Sequence, residues 1–255
     1  CPIEAFVVGY VNPAGPPCTS GCGGPGNPYT SIAQAYNDLG GSTIFLHPGA
    51  YTTPANTNIN ISSANVVFAR WPNTTGAIAI DCQGNSYGMA FSYSSSSISD
   101  ITFNNCTTTS PLGGGALQLY EGSIFGYRHP LTSRVSKPGH YAVTNVNFVG
   151  NAAVAGGGGV SARYASVSIA GGSFQQNTDG AILVGPGTSA YLSGGTTFSG
   201  NAPQDTVCSD SSFLGLDETI LLSPADLANC SVQVASAMTL SVFPGSLGGV
   251  QLYPL

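Results

Sequence analysis

The sequence predicts an all-β protein, a parallel β-helix with a short capping helix near its N-terminus. Three observations carry that expectation. A Phe-x-x-Asn motif recurs at Phe148-Val-Gly-Asn151, Phe174-Gln-Gln-Asn177 and Phe198-Ser-Gly-Asn201, with the Phe positions 26 and 24 residues apart. Two cysteine pairs repeat the spacing independently, Cys82 to Cys106 at 24 residues and Cys208 to Cys230 at 22. The 255 residues include 35 Gly and 17 Pro, both costly inside helices, and only one stretch has helical periodicity. A period near 24 made of short strands and glycine-rich turns suits a coiled sheet. No single coil buries its inner face alone, so the coils must stack.

In chain order, residues 1–28 form an N-terminal segment holding Cys1, Cys18 and Cys22, of which two should pair. Seven cysteines cannot all pair within one chain, and Cys1, at the terminus, is the expected odd one. Tyr29 to Leu39 is the helix: Ile32, Ala35, Tyr36 and Leu39 share a face, Thr30 or Ser31 caps it, and Gly40-Gly41 ends it. It would cover the open end of the sheet stack. Strands follow at Thr43-Ile-Phe-Leu46 and, after the turn His47-Pro-Gly-Ala-Tyr51, at Asn65-Val-Val-Phe-Ala69.

The β-helix proper spans residues 29–205, and roughly 24 residues per coil over the repeat-bearing region suggests about nine or ten coils. Stacking sets equivalent residues about 4.8 Å apart. Phe103, Phe148, Phe174 and Phe198 should therefore form an internal ladder, with Asn151, Asn177 and Asn201 bonding one another's backbones at a turn. Phe103-Asn-Asn-Cys106, 45 residues before Phe148, is an imperfect copy separated by two compressed periods or by one with an insertion. Glycine-led apolar strands interleave at Gly114-Gly-Ala-Leu117, Gly158-Gly-Val160 and Gly180-Ala-Ile182. Ser94-Ser-Ser-Ser97 reads as an outward strand or turn. Glu121, Arg128, His129, Arg134, Lys137 and His140 make the most charge-dense interval, read as a loop between coils. Residues 206–255 supply the terminal coils and a C-terminal assembly segment, with strand-like runs at Val232 to Phe243 and Gly249 to Tyr253.

The run Tyr10-Val-Asn-Pro-Ala-Gly15, Ser31-Ile-Ala-Gln-Ala35, Ser42 to Tyr51 and Ile80-Asp-Cys-Gln-Gly84 resembles the N-terminal end of right-handed parallel β-helices of the pectin-lyase-like superfamily. The Phe-x-x-Asn and glycine-led copies resemble the repeats of polymorphic outer-membrane proteins and their extracellular algal or protist relatives. Together these resemblances cover roughly residues 5–205 and imply a right-handed coil. The sequence departs from the repeat at Cys106, where Asn is usual, and at Asp179, where glycine is usual. Architecture follows from such motifs more readily than activity does.

Composition narrows the function. Lys and Arg number 5 against 11 Asp and Glu, a net charge of -6, so no basic face exists for nucleic acid. No apolar run reaches the roughly 18 residues of a spanning helix. The chain lacks an initiator Met and a signal peptide's apolar core, and reads as a processed mature form. Sequons at Asn60, Asn73, Asn105 and Asn229, beside the cysteines, indicate secretion and an extracellular or cell-surface location. N-glycans are favoured on Asn60 and Asn73, in turn-like surroundings, over Asn105, whose repeat position should turn into the stack.

Many β-helices resembling this one cleave acidic polysaccharides, which requires paired carboxylates or a base with a metal or cationic partner. Asn177-Thr-Asp-Gly180 matches one polygalacturonase signature and Gly139-His140 part of another. Their order is reversed, however, and the Asp pair and Arg-x-Lys of those enzymes are missing, so neither Asp179 nor His140 is expected to be catalytic. Cys18-x-x-x-Cys22 lacks a second metal-ligating pair and reads as a disulfide. No metal or cofactor is expected. From Ser231 to Leu255 there is no charged residue. Uncharged strand edges invite pairing, so the expected function is a secreted structural glycoprotein that stacks head to tail into a fibril. Phe6, Val7 and Val8 at one end and Val250, Leu252 and Tyr253 at the other would make the contacts. The alternatives are an adhesive rod that binds extracellular polysaccharide, and a polysaccharide lyase or hydrolase.

Overall fold

A computed structural model describes residues 8–62, 65–120, 139–209, 212–223, 225–227, 229–234 and 251–252. The chain enters through β1 (Val8–Val11) and α1 (Ile32–Leu39), then coils. The first coil is β2 (Thr43–Leu46), β3 (Gly49–Tyr51) and β4 (Ile59–Ser62); the second is β5 (Val67–Arg70), β6 (Ile78–Asp81) and β7 (Met89–Ser92). The third is β8 (Ser96–Ser99), β9 (Thr102–Asn104), β10 (Thr107–Thr108) and β11 (Leu117–Tyr120). The fourth is β12 (Gly139–Thr144), β13 (Asn147–Val149), β14 (Ala152–Ala153) and β15 (Val160–Arg163). The fifth is β16 (Ala165–Ala170), β17 (Ser173–Gln175) and β18 (Ile182–Val184); the sixth is β19 (Ser189–Ser193), β20 (Thr197–Ser199) and β21 (Thr206–Cys208). Last come β22 (Phe213–Leu216), β23 (Ser231–Val234) and β24 (Gln251–Leu252).

Parallel pairing gathers these strands into three stacks, with β10 and β14 pairing separately as a two-stranded sheet. Sheet 1 has ten strands, ordered β1-β2-β5-β8-β12-β16-β19-β22-β23-β24; sheet 2 runs β3-β6-β9-β13-β17-β20 and sheet 3 runs β4-β7-β11-β15-β18-β21. The result is a β-solenoid of about six turns, fewer than the nine or ten expected. The approach through α1 and the three final strands, which join sheet 1 alone, complete no coil among the described residues. The 45-residue step is a single rung with an insertion, because Phe148 pairs directly with Phe103. Its charge-dense residues Glu121, Arg128, His129, Arg134 and Lys137 lie outside the described residues.

Alternation sends every second strand residue inward. Ile44, Phe68, Ile98, Val143, Ile169, Leu192 and Leu216 form the buried column of sheet 1. In sheet 2 the column is Tyr51, Ile80, Phe103, Phe148, Phe174 and Phe198. The four Phe rings stack with centroids 5.8, 4.6 and 5.2 Å apart and interplanar angles of 15° or less. Phe198, expected inside, is only half-buried, because among the described residues sheet 2 ends there and no ring covers its far face.

The glycine-led motif answers to these rings. Gly88, Ala116, Gly159 and Ala181 precede successive strands of sheet 3, and a Cβ on Gly159 would sit 2.9 Å from the Phe174 ring and 2.8 Å from the Ala181 carbonyl. Small residues there leave the space that Phe fills. The serine tract behaves differently from its expected outward reading. Ser94 and Ser96 are buried, with Ser96 Oγ accepting from Val66 N at 3.2 Å and Ser94 Oγ bonding Tyr141 Oη at 3.5 Å.

Ser31 caps α1 by accepting from Gln34 N at 3.3 Å, and Gly40, at φ 61°, donates to Tyr36 O at 2.8 Å. Ile32 and Ala35 are buried against the first coil. The helix thus begins at Ile32, three residues after Tyr29 and directly after the Ser31 cap.

Candidate functional site

The Asn ladder forms as its spacing requires. Asn151 N and Nδ2 both donate to Asn177 Oδ1 at 3.0 Å, and Asn177 N and Nδ2 donate to Asn201 Oδ1 at 3.0 and 2.9 Å. Each amide also donates to the previous Phe carbonyl: Asn151 to Phe103, Asn177 to Phe148 and Asn201 to Phe174. One end meets Cys106, whose N–H donates to Asn151 Oδ1 at 2.9 Å. At the other, Asn201 Nδ2 donates to Asp205 Oδ1 at 2.8 Å, and Asp205 N donates to Asp226 Oδ1 at 2.6 Å. Burial raises the Asp205 pKa, the Asn201 bond opposes this, and the Asp226 charge adds to the rise. Asp226 also accepts from Ser223 N and Oγ. The two carboxylates therefore terminate the ladder and hold the chain that closes sheet 3.

Asp179 lies exposed at φ 61° in the turn between sheets 2 and 3, where its carbonyl accepts from Gly157 N at 2.8 Å. His140 stands exposed on β12 in sheet 1. The structure places the two on different faces. Among the described residues no group of three or more His, Cys, Asp or Glu is arranged to hold a metal.

Disulfides join Cys82 to Cys106 and Cys208 to Cys230 across neighbouring coils, with Cα atoms 4.7 and 5.1 Å apart, and Cys18 to Cys22 at 5.8 Å. Cys1 lies outside the described residues. All four sequon asparagines are exposed. Asn105 corrects its expected inward placement: Cys106 takes the inward ladder position, while Asn105, at φ 50°, points out and donates to Asp81 Oδ1 at 3.3 Å. Asn60 sits on strand β4 rather than in a turn and accepts from the Tyr87 hydroxyl at 2.8 Å.

The ends of the rod differ. At the N-terminal end, Tyr10 donates to Gly23 O at 3.0 Å and accepts from Tyr29 N at 2.8 Å, and Asn12 N donates to Tyr29 O at 2.8 Å. The expected free edge at Tyr10 is thus occupied by the loop that the Cys18–Cys22 disulfide ties. Val8 pairs with Thr43 and is 39% exposed, while Phe6 and Val7 lie outside the described residues. α1 covers sheet 3, where the Tyr36 hydroxyl accepts from Ser62 N at 3.1 Å and donates to Ser62 O at 3.4 Å.

At the C-terminal end, Asp226 and the Cys208–Cys230 bridge close sheet 3. Among the described residues no strand follows β20 in sheet 2, and Leu221, near the closing segment in sequence, is 86% exposed. Sheet 1 continues to β24, where Leu252 pairs with Val232 of its own chain, so the last of the ten strands is internal in origin. Val250 and Tyr253 lie outside the described residues.

A groove of about 340 Å³ crosses the outer face of sheet 1. One row of its residues is His140, Ser166, Ser189 and Phe213; the adjacent row includes Ala142, Ser168 and Tyr191. Gly215 follows Tyr191 in that second row, and a Cβ there would lie 2.6 Å from the Tyr191 ring. This groove is absent from the sequence-based expectations.

The chain has no significant match among protein-family models, curated proteins or solved structures. Its architecture is therefore established by strand pairing and not by kinship. Three disulfides, and no helix among the described residues long and apolar enough to cross a membrane, are compatible with an extracellular protein.

Proposed function

We propose that the protein is an extracellular structural glycoprotein, a non-catalytic rod that associates with further copies end to end to build a fibril. The supporting observation is the inequality of the two ends. Among the described residues, the N-terminal end is finished by its own loop and helix, whereas sheet 2 ends at β20 and sheet 1 at β24, with Phe198 half-buried and Leu221 bare. Exposed strand edges and apolar side chains are what a partner removes from water.

Joining unlike ends is a heterologous contact, which propagates into a filament unless its rotation closes a ring. The N-terminal end offers an aromatic patch on sheet 1, where the Tyr10 ring lies 5.5 Å from Phe45 and 4.7 Å from Trp71, and Val8 on the same strand is 39% exposed. N-glycans on the exposed Asn60, Asn73 and Asn105 would hinder sideways contact. Light scattering of wild type and Leu221→Lys tests this reading. Wild type should grow with concentration into polydisperse assemblies and the variant should remain small. Growth that is unchanged by Leu221→Lys contradicts the proposed end.

A further inference from the structure

We propose that the groove on sheet 1 binds a neutral saccharide chain, independently of whether the rod stacks end to end. Its make-up argues for that ligand class. Its lining among the described residues, from His140, Ala142, Ser168 and Tyr191 to Phe213, contains no Asp, Glu, Lys or Arg. Three serines, Ser166, Ser168 and Ser189, stand on its floor. Among the described residues none of their hydroxyls has a bond within the protein, unlike Ser161, Ser173, Ser209 and Ser212, whose hydroxyls are engaged. A hydroxyl both donates and accepts, which suits the hydroxyls of a sugar.

The aromatic groups complete the site. Tyr191 and Phe213 lie on adjacent rungs at one end of the groove and His140 at the other, three rungs from Phe213, a span of about 14 Å. Tyr191 is 37% exposed, and its ring leans over the bare backbone of Gly215. That leaves an apolar ring face beside three free hydroxyls, a pattern of apolar walls with a few polar groups that orients a small ligand. A protein partner would need more complementary apolar area than two rings and a floor of Ser and Ala provide.

The saccharide has two possible sources, a free extracellular polysaccharide or an N-glycan of a neighbouring copy. Titration calorimetry with neutral hexasaccharides, cello- and manno-hexaose, and with hexagalacturonate as the acidic comparison, tests the inference on native and enzymatically deglycosylated protein. A neutral hexasaccharide should bind the deglycosylated protein, with hexagalacturonate at least tenfold weaker. Tyr191→Ala and Ser168→Leu, one removing the ring and the other filling the floor, should each weaken binding at least tenfold with unchanged thermal stability. Binding by the deglycosylated form alone assigns the groove to an N-glycan of another copy; binding by both forms assigns it to an external chain. No neutral binding in either form, binding indifferent to both variants, or capture of a protein through Tyr191 without saccharide overturns the proposal.

Discussion

Replacing Asn177 with Ala probes the feature that holds successive coils in register. The side chain is fully buried and makes four bonds: Nδ2 to the Phe148 carbonyl at 3.0 Å and to Asn201 Oδ1 at 2.9 Å, and Oδ1 from both Asn151 N and Asn151 Nδ2 at 3.0 Å. A buried hydrogen bond contributes a net of about 1 kcal/mol, so the truncation should cost about 4 kcal/mol. For a chain of this size that corresponds to a fall in Tm of about 8 to 16 °C. Thermal and urea unfolding measure the total, and hydrogen exchange at the Asn151 amide, which loses its acceptor, measures the local effect. Asn85→Ala, at an exposed asparagine, should change stability by less than about 0.5 kcal/mol. A loss below about 1 kcal/mol for Asn177→Ala, with Asn151 exchange unchanged, would refute the view that the ladder stabilises the stack.

Three further changes test the packing and the ladder's ends. Gly159→Val places a branched side chain against a Phe174 ring held between two others, and should cost at least about 2 kcal/mol in urea unfolding, whereas Val160→Ile in the same strand should cost less. Removing the Cys82–Cys106 bridge as a double Ala variant should lower stability by about 3 kcal/mol, as expected for a 24-residue closure, and Asn in place of Cys106 should recover part of the loss by extending the ladder. Asp205→Asn keeps an acceptor for Asn201 and removes a carboxylate whose folded pKa is raised by burial. Because that pKa lies above the unfolded value of about 3.9, ionisation disfavours the folded wild type. The stability cost is absent below that pH, develops as pH rises to the folded pKa, and is complete above it. Melting curves should therefore show the variant ahead of wild type at neutral pH and the gap closing on acidification below about pH 4.

What was legible in the sequence repeats with the coil. The Phe and Asn ladders, the inter-coil cysteines and the capped helix each follow from local spacing that the solenoid reproduces rung by rung. The unpredicted features depend on tertiary context. Ser94 and Ser96 face inward because their hydroxyls meet Val66 N and Tyr141 Oη, groups 30 and 47 residues away. The closure of β1 by Gly23 and Tyr29 arises from a Gly- and Pro-rich loop with no period. The groove joins Ser166, Tyr191 and Phe213 from different coils on an outward face, where no hydrophobic alternation marks it. Extending the inward register Ile169, Leu192, Leu216 and taking the alternate residues would have brought Ser168, Tyr191 and Gly215 together.

Electron microscopy of the purified glycoprotein at rising concentration tests the proposed function most directly. End-to-end stacking predicts unbranched polar filaments whose axial repeat is close to the height of one rod, about 48 Å if ten sheet 1 strands stack at 4.8 Å each. Isolated rods at every concentration, or two-fold pairs joined through like ends, would contradict it.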